Sequence, residues 1–302
     1  MLAQAERDAS EILAGRKSRD ATGKLFDIEQ PKLTLEPEAV RDYQKGIGEA
    51  VGPMTLESLI RDAGAKFSAR EITRYVNLQR IAMHAEEQAA AVGDEDVSDE
   101  PLDDDWLSRW RENAQDVSSE HMQKVWARIL TEEAKTPGTY SMRTLEFLRN
   151  LSKNDALKIA AIGPFLLNRE WIYRADEIFK RRQITFSFLL ELQEIGILGG
   201  VDSLGLSLTL ETVSSSNYLT ALTCHERALL ISRATLEPKL TIPIAKVTKL
   251  GREVLALGTY TADKEYLMDI AAQAKSKGFS VKYGNWILKT PNEGQIVNPV
   301  DV

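Results

Sequence analysis

The triplet Cys224-His225-Glu226 is the arrangement in this chain that comes nearest to a nucleophile with a neighbouring base. A thiol and an imidazole form a nucleophile pair when their side chains meet within hydrogen-bonding distance. Consecutive side chains of a strand point to opposite faces of a sheet, so adjacent residues do not meet easily. The sequence therefore predicts that Cys224 ends a strand as a small buried side chain and that His225 opens a turn.

The other two histidines are candidates for metal ligation. His84 and Glu87 have the i, i+3 spacing that places two ligands on one helix face. A second ligand pair is missing, because the sequence contains no Glu-x-x-His or His-Glu-x-x-His motif. His84 and Glu87 are therefore expected at the solvated surface, and His121 is expected to be exposed in the first turn of a helix.

Glu132 and Glu133 are a candidate pair of carboxylates for acid–base catalysis. A helix turns by about 100° per residue, so the two side chains would diverge. Glu133 is expected instead to tie its helix to Arg128 or Arg143. No catalytic, cofactor-binding or metal-ligating residue is assigned and no cofactor is expected, so an enzyme of unrecognised class is only the second alternative.

A nucleic-acid site would need a basic face or aromatic side chains on which bases stack. Trp106, Trp110 and Trp126 recur at helical spacing among aliphatic residues, which predicts core packing. If the chain bound DNA, the predicted helix that contains Glu191 and Glu194 would enter the groove, and these two side chains would repel phosphate. Six basic residues are candidate contacts for nucleic acid or a protein partner: Lys180, Arg181, Arg182, Lys246, Lys249 and Arg252.

The composition is that of a folded protein with an acidic balance. The 302 residues have a net charge of -7, and 43% of them are hydrophobic. An acidic total argues against non-specific nucleic-acid binding, which depends on a basic face. The single cysteine, Cys224, can form no disulfide within the chain, which favours a reducing compartment. No apolar run is long enough to cross a bilayer, so the expected location is the cytoplasm, and a homo-oligomer is left open.

The first half of the chain is predicted to be helical. Residues 1–52 are expected to form a charged helix and a linker, and 53–168 a helical domain with an acidic loop at 93–105. Ser68 and Glu71 form a capping-box pattern at the start of a long helix. The apolar stripe of that helix is Ile72, Tyr75, Val76, Gln79 and Met83, and the residues expected to face water are Arg70, Arg74 and Arg80.

Four further helices are predicted between Trp106 and Leu167, the last with a kink at Pro164. The sequence then changes to short β-like runs and helices over 169–290, among them a helix over 186–195 and strands over Tyr218–Cys224 and Arg227–Arg233. The residues from Pro291 to the end, 291–302, are predicted to be a loose polar tail. The fold class predicted from this order is α+β, with a helical domain followed by a domain that contains a small antiparallel sheet.

The middle of the chain resembles a bacterial family known only as a domain of unknown function, number two-eight-zero-six. The residues that carry the resemblance, and that are expected to be structural, are Trp106, Trp126, Ile129, Leu130, Glu133, Pro137, Gly138, Ser141, Arg143 and Leu145. The resemblance implies no assigned activity. Members resemble mobile accessory genes of the kind found among anti-phage functions, which gives a context and no mechanism.

The C-terminal part resembles a winged helix. Leu189 to Leu198 is similar to a recognition-type helix that closes on a glycine, and Thr248 to Leu255 is similar to the helix that follows the wing. We therefore expect a non-enzymatic interaction or sensor protein with a protein partner, plausible in anti-phage defence. The alternative is a winged-helix DNA-binding regulator.

Overall fold

The computed structural model describes most of the chain. The described residues are 17–19, 25–27, 56–90, 98, 100–202, 206–290 and 293–302. The chain divides into two compact units, Met1–Phe67 and Ser68–Val302. In the first unit, β1 (Lys17–Arg19) pairs antiparallel with β2 (Leu25–Asp27). The predicted charged helix near the N-terminus, and most of the acidic loop before residue 100, lie outside the described residues.

The helix α1 (Leu56–Ala90) is 35 residues long. Its sequence is rich in Ala, Glu, Gln and Arg, which have high helix propensity. The predicted start at Ser68 is wrong, because the helix runs through this residue without interruption. The capping-box pattern of Ser68 and Glu71 is therefore a coincidence of spacing inside a helix.

Four shorter helices follow: α2 (Asp104–Ala114), α3 (Glu120–Lys135), α4 (Met142–Arg149) and α5 (Lys153–Ile162). Side-chain oxygens cap two of them, because Asp103 accepts from the Trp106 amide and Ser152 from the Asp155 amide. Pro164 lies in the 3₁₀ turn that follows α5, so the helix ends there and does not continue as a kinked helix.

The remaining elements alternate short strands with helices. They are β3 (Leu166–Leu167), β4 (Trp171–Tyr173), α6 (Asp176–Arg181), α7 (Phe186–Glu194), β5 (Leu198–Gly199), β6 (Leu206–Thr209), β7 (Tyr218–Cys224), β8 (Arg227–Arg233), β9 (Thr241–Val247), α8 (Lys249–Ala256), α9 (Lys264–Ser276), β10 (Ser280–Thr290) and β11 (Glu293–Asp301). The fold is therefore α+β, with the helices first and the sheets in the C-terminal half.

Two antiparallel sheets form the C-terminal half. The first has the order β3-β4-β9-β5, and β6 also pairs with β9. The second has the order β11-β10-β8-β7. An aromatic cluster packs α9 into this half, since Tyr266 is fully buried and lies 5.1 Å from Phe165 and 5.8 Å from Tyr173 between ring centroids.

The C-terminal residues are a strand and not a loose tail. Glu293–Asp301 pairs antiparallel with β10 along most of its length. The expectation failed because Asn, Gln and Pro made the segment look unstructured, whereas its backbone groups are satisfied by a neighbouring strand. The last residue also participates, because the Val302 amide donates to the Val281 carbonyl.

Candidate functional site

The inner face of α1, which packs on α2 and α3, carries both polar and apolar side chains. The Arg74 guanidinium donates to Asp116 at 2.8 Å, and the pair lowers the pKa of the Asp116 carboxyl below its usual range. Asn77 is buried, donates to the Gln115 carbonyl at 3.0 Å and accepts from Gln123 at 3.3 Å. Each of these three contacts is made by a charged or amide side chain.

The hydrogen bond from Asn77 has a physical cause in the end of a neighbouring helix. Gln115 is the C-cap of α2, and the last carbonyls of a helix have no partner inside it. Asn77 supplies a donor to one of these carbonyls, and Gln88 donates to the Lys124 carbonyl at 3.3 Å. Ile81, which is fully buried, provides the apolar contact between these hydrogen bonds.

The outer face of α1, defined as Ile72, Tyr75, Val76 and Met83, is exposed. The exposed fractions are 65% for Ile72, 65% for Tyr75, 39% for Val76 and 59% for Met83. Of the three arginines predicted to face water, Arg70 and Arg80 are exposed, whereas Arg74 is held by Asp116. The apolar period was real, but the side of the helix that it marks has no covering element among the described residues.

The family-motif residues make structural contacts around the turn that joins α3 to α4. The Trp106 indole donates to the Tyr140 carbonyl at 2.7 Å, and the Trp110 indole donates to the Trp126 carbonyl at 3.1 Å. Glu133 accepts from the Gly138 amide at 2.6 Å and from the Tyr140 amide at 2.7 Å. A buried carboxylate thereby holds the Pro137-Gly138 turn in place.

The predicted partners of Glu133 are wrong. Its neighbour Glu132, and not Glu133, pairs with Arg128 at 2.6 Å, and Glu132 also accepts from the Tyr140 hydroxyl. Burial and this carboxylate raise the pKa of the Tyr140 hydroxyl above its usual range. The two carboxylates do diverge as expected, since one binds backbone amides and the other binds side chains.

A carboxylate from α8 caps α4 across a long stretch of sequence. Glu253 is 7% exposed and accepts from the Ser141 amide at 2.8 Å and the Ser141 hydroxyl at 2.9 Å. It also accepts from the Thr144 hydroxyl. A negative charge at a helix N-terminus is favourable because the first amides are unpaired there. Sequence reasoning missed Glu253, since no local spacing links it to Ser141.

The six candidate basic contacts do not form one free basic face. Arg181 lies 3.5 Å from Glu265, Arg182 lies 2.9 Å from Asp263, and Arg252 lies 3.5 Å from Glu170. Lys249 approaches Glu253 at 3.8 Å, and Lys246 lies over the Trp171 ring. Lys180 is exposed without an ion-pair partner in the described part of the chain.

The thiol and imidazole side chains take the positions that the strand pattern predicted. β7 ends at Cys224, which is fully buried and donates to the Pro164 carbonyl at 3.3 Å. Burial raises the pKa of the Cys224 thiol to about 12, so it is not a thiolate at neutral pH. His225 lies in the turn, and its Nε2 is 2.8 Å from the Gly163 carbonyl.

The other histidines do not assemble a metal site. His84 Nδ1 lies 3.3 Å from Glu87 Oε2, and His121 is exposed. Within the described ranges, no group of three or more His, Cys, Asp or Glu side chains could hold a metal ion. Among the same residues, no helix is both long enough and apolar enough to cross a membrane.

An open cleft of about 440 Å³ lies where α4 meets the end of α7 and the start of α8. Its floor is formed by Phe147, Leu151, Ile195 and Leu250. Arg143, one of the family-motif residues, lies on its rim. The cleft therefore combines an apolar floor with polar groups at its edge, as ligand sites commonly do.

These features define an α+β protein whose helical part is fastened to its sheets and which exposes an apolar helix face. Residues 63–168 match the family described as "Protein of unknown function (DUF2806)". The match covers α2 to α5 and most of α1. Neither the curated proteins nor the solved structures contain a match to the chain.

Proposed function

We propose that this chain is a non-enzymatic interaction or adaptor protein that acts in the cytoplasm and binds a protein partner through the outer face of α1. The observation that carries the proposal is the exposure of Ile72, Tyr75 and Met83 on one side of a helix whose other side is docked. Clustered apolar side chains at a surface mark interaction sites more often than isolated ones do.

The dimensions of the outer face suit a helix or a loop of another protein. From Ile72 to Met83 the helix rises by roughly 16 Å, at about 1.5 Å per residue. An amphipathic partner helix would place its own apolar residues against this stripe. Glu86 and Glu87 are exposed beyond Met83, so we expect the matching partner surface to carry basic residues at that end.

The site chemistry supports interaction over catalysis. The Cys224 thiol is buried and protonated, and Glu132 and Glu133 are both occupied by structural contacts. The role in anti-phage defence is part of the proposal and is supported only by the resemblance of the middle segment to its family.

Oxidative footprinting tests the outer face directly. Tyr75 and Met83 react readily with hydroxyl radicals when exposed, and Met142, 41% exposed on α4, is the internal control. We expect Tyr75 and Met83 to be protected in extract of a native-type bacterial host but oxidised in the dilute purified chain. Met142 should be oxidised equally in both samples.

A surface variant connects protection with a partner. Ile72→Asp should abolish the protection of Met83 and release the protein that covers it. The partner is then the protein that binds the wild type and not the variant. The matched control is Leu157→Asp, because Leu157 is 62% exposed on α5 and away from α1 in sequence. Equal oxidation in extract and buffer would refute the proposal.

A winged-helix DNA-binding regulator is the second candidate. One observation favours it: α6 and α7 are consecutive helices between β4 and β5, and both of these strands pair with β9. Against it, Glu191 of α7 is paired with Lys158, Glu194 is exposed, and α7 carries no basic residue. If DNA binds, affinity should fall steeply with salt, and Lys180→Glu should weaken it further.

A further inference from the structure

The rim of the cleft beside α4 carries one basic side chain, Arg143, together with two carboxylates, Glu146 and Asp155. Glu146 lies 3.6 Å from Arg109, and the Asp155 carboxylate accepts from the Ser152 hydroxyl at 2.6 Å. Arg143 makes neither a hydrogen bond nor an ion pair with any described residue. Two of the three charged side chains at the rim are therefore engaged elsewhere, and the guanidinium is free to meet a ligand.

The guanidinium has a defined position beside Gly196. Gly196 follows α7 with φ +81°, a conformation that favours glycine. A Cβ added there would lie 3.8 Å from Arg143 Nη2 and 3.5 Å from Leu250 Cδ2, so the cation and the apolar floor meet at this point. The C-terminal end of α7 favours a cation, which holds Arg143 there without neutralising it.

We propose that this cleft is a binding site for a ligand that carries a single carboxylate next to a large aliphatic side chain, such as a peptide C-terminus ending in leucine. A guanidinium binds a carboxylate through two parallel hydrogen bonds, which fixes the orientation of the ligand. The floor of Phe147, Leu151 and Ile195 then receives the aliphatic group.

The charge around the cleft selects a monoanion. One free guanidinium balances one carboxylate, whereas a phosphate ester carries up to two negative charges. Glu146 and Asp155 on the same rim repel any anion, and they repel a doubly charged phosphate ester more strongly than a monocarboxylate. The cleft shares no residue with the outer face of α1, so this inference does not depend on the proposed function.

A pair of small probes tests the inference with the full chain. N-acetyl-leucine carries the carboxylate and the aliphatic group, and N-acetyl-leucinamide has the same shape without the charge. Binding is followed by NMR, from the chemical-shift changes of the Phe147, Leu151 and Ile195 side chains. We expect saturable shifts with the acid in the millimolar range and at least about tenfold weaker binding of the amide.

A matched pair of variants separates the cleft from the general surface. Arg143→Gln should weaken the binding of N-acetyl-leucine at least about tenfold and leave the binding of N-acetyl-leucinamide unchanged. Arg149→Gln, on the same helix but outside the cleft, should change neither. Thermal unfolding of both variants verifies that they fold. Absence of saturable shifts with the acid, equal binding of acid and amide, or unchanged binding in Arg143→Gln would each overturn the inference.

Discussion

The inner face of α1 holds Arg74, Asn77 and Gln88 against neighbouring helices, whereas its outer face presents Ile72 and Met83 to solvent. The polar residues are inside because the surface they meet offers carbonyls and a carboxylate. The apolar residues are outside because no described element covers them. Hydrophobic periodicity therefore located two faces of this helix correctly but could not say which one docks within the chain.

The largest effect is expected where the inner face is apolar. Ile81→Ala should destabilise the fold by about 2–5 kcal/mol, because it removes buried methyl groups and leaves a cavity. Ile72→Ala is the matched control on the outer face and should change stability by less than about 0.5 kcal/mol. Urea unfolding of the two variants measures both, and comparable losses would mean that the outer face is covered within the chain.

A smaller effect is expected from the buried amide of the inner face. Asn77→Ala removes the donor to the Gln115 carbonyl and the acceptor for Gln123, at a cost of about 1–3 kcal/mol. Gln79→Ala, at an exposed position of the same helix, should be nearly neutral. Chemical denaturation provides the comparison, and an Asn77→Ala variant as stable as wild type would show that water replaces the amide.

The smallest effect concerns the ion pair at the edge of the inner face. The pKa of Asp116 is lowered chiefly by its hydrogen bond from Arg74, so the pair contributes stability above the ordinary carboxyl pKa of 3.8. This contribution is lost as the pH falls below 3.8 through the lowered pKa. Because Asp116 is 43% exposed, solvent screening keeps the effect small.

The pH dependence is measured with Arg74→Gln. The stability difference between wild type and variant should be constant from pH 7 to about pH 4.5 and should shrink below the ordinary pKa. A difference that stays constant through this acidic range would show that the carboxylate draws no stability from the guanidinium.

Local patterns in the sequence predicted much of the C-terminal half. The strands Tyr218–Cys224 and Arg227–Arg233 have the predicted bounds, and in the first of them buried and partly buried side chains alternate along the whole strand. The helix at Phe186 was predicted to within one residue, because Gly196 marks its end.

Long-range polar contacts were not predictable. Asn77 reaches the end of α2, and Glu253 reaches the start of α4, from positions that have no periodic relation to their partners. The strand at Glu293 was missed because its pairing partner, and not its composition, makes it a strand. Of the candidate cleft, only Arg143 was singled out beforehand, through the family motif.

The cap that Glu253 places on α4 bears on how the chain folds during synthesis. Glu253 follows Ser141 by 112 residues, so a ribosome adding about 5–20 residues per second releases α4 on the order of ten seconds before its capping carboxylate. Residues 63–168 therefore leave the ribosome while the Ser141 amide at the start of α4 still lacks its acceptor. A nascent chain that pauses in this interval exposes the uncapped helix end to chaperones. The start of α4 is thus capped only after α8, which follows β9 in the chain, has been translated.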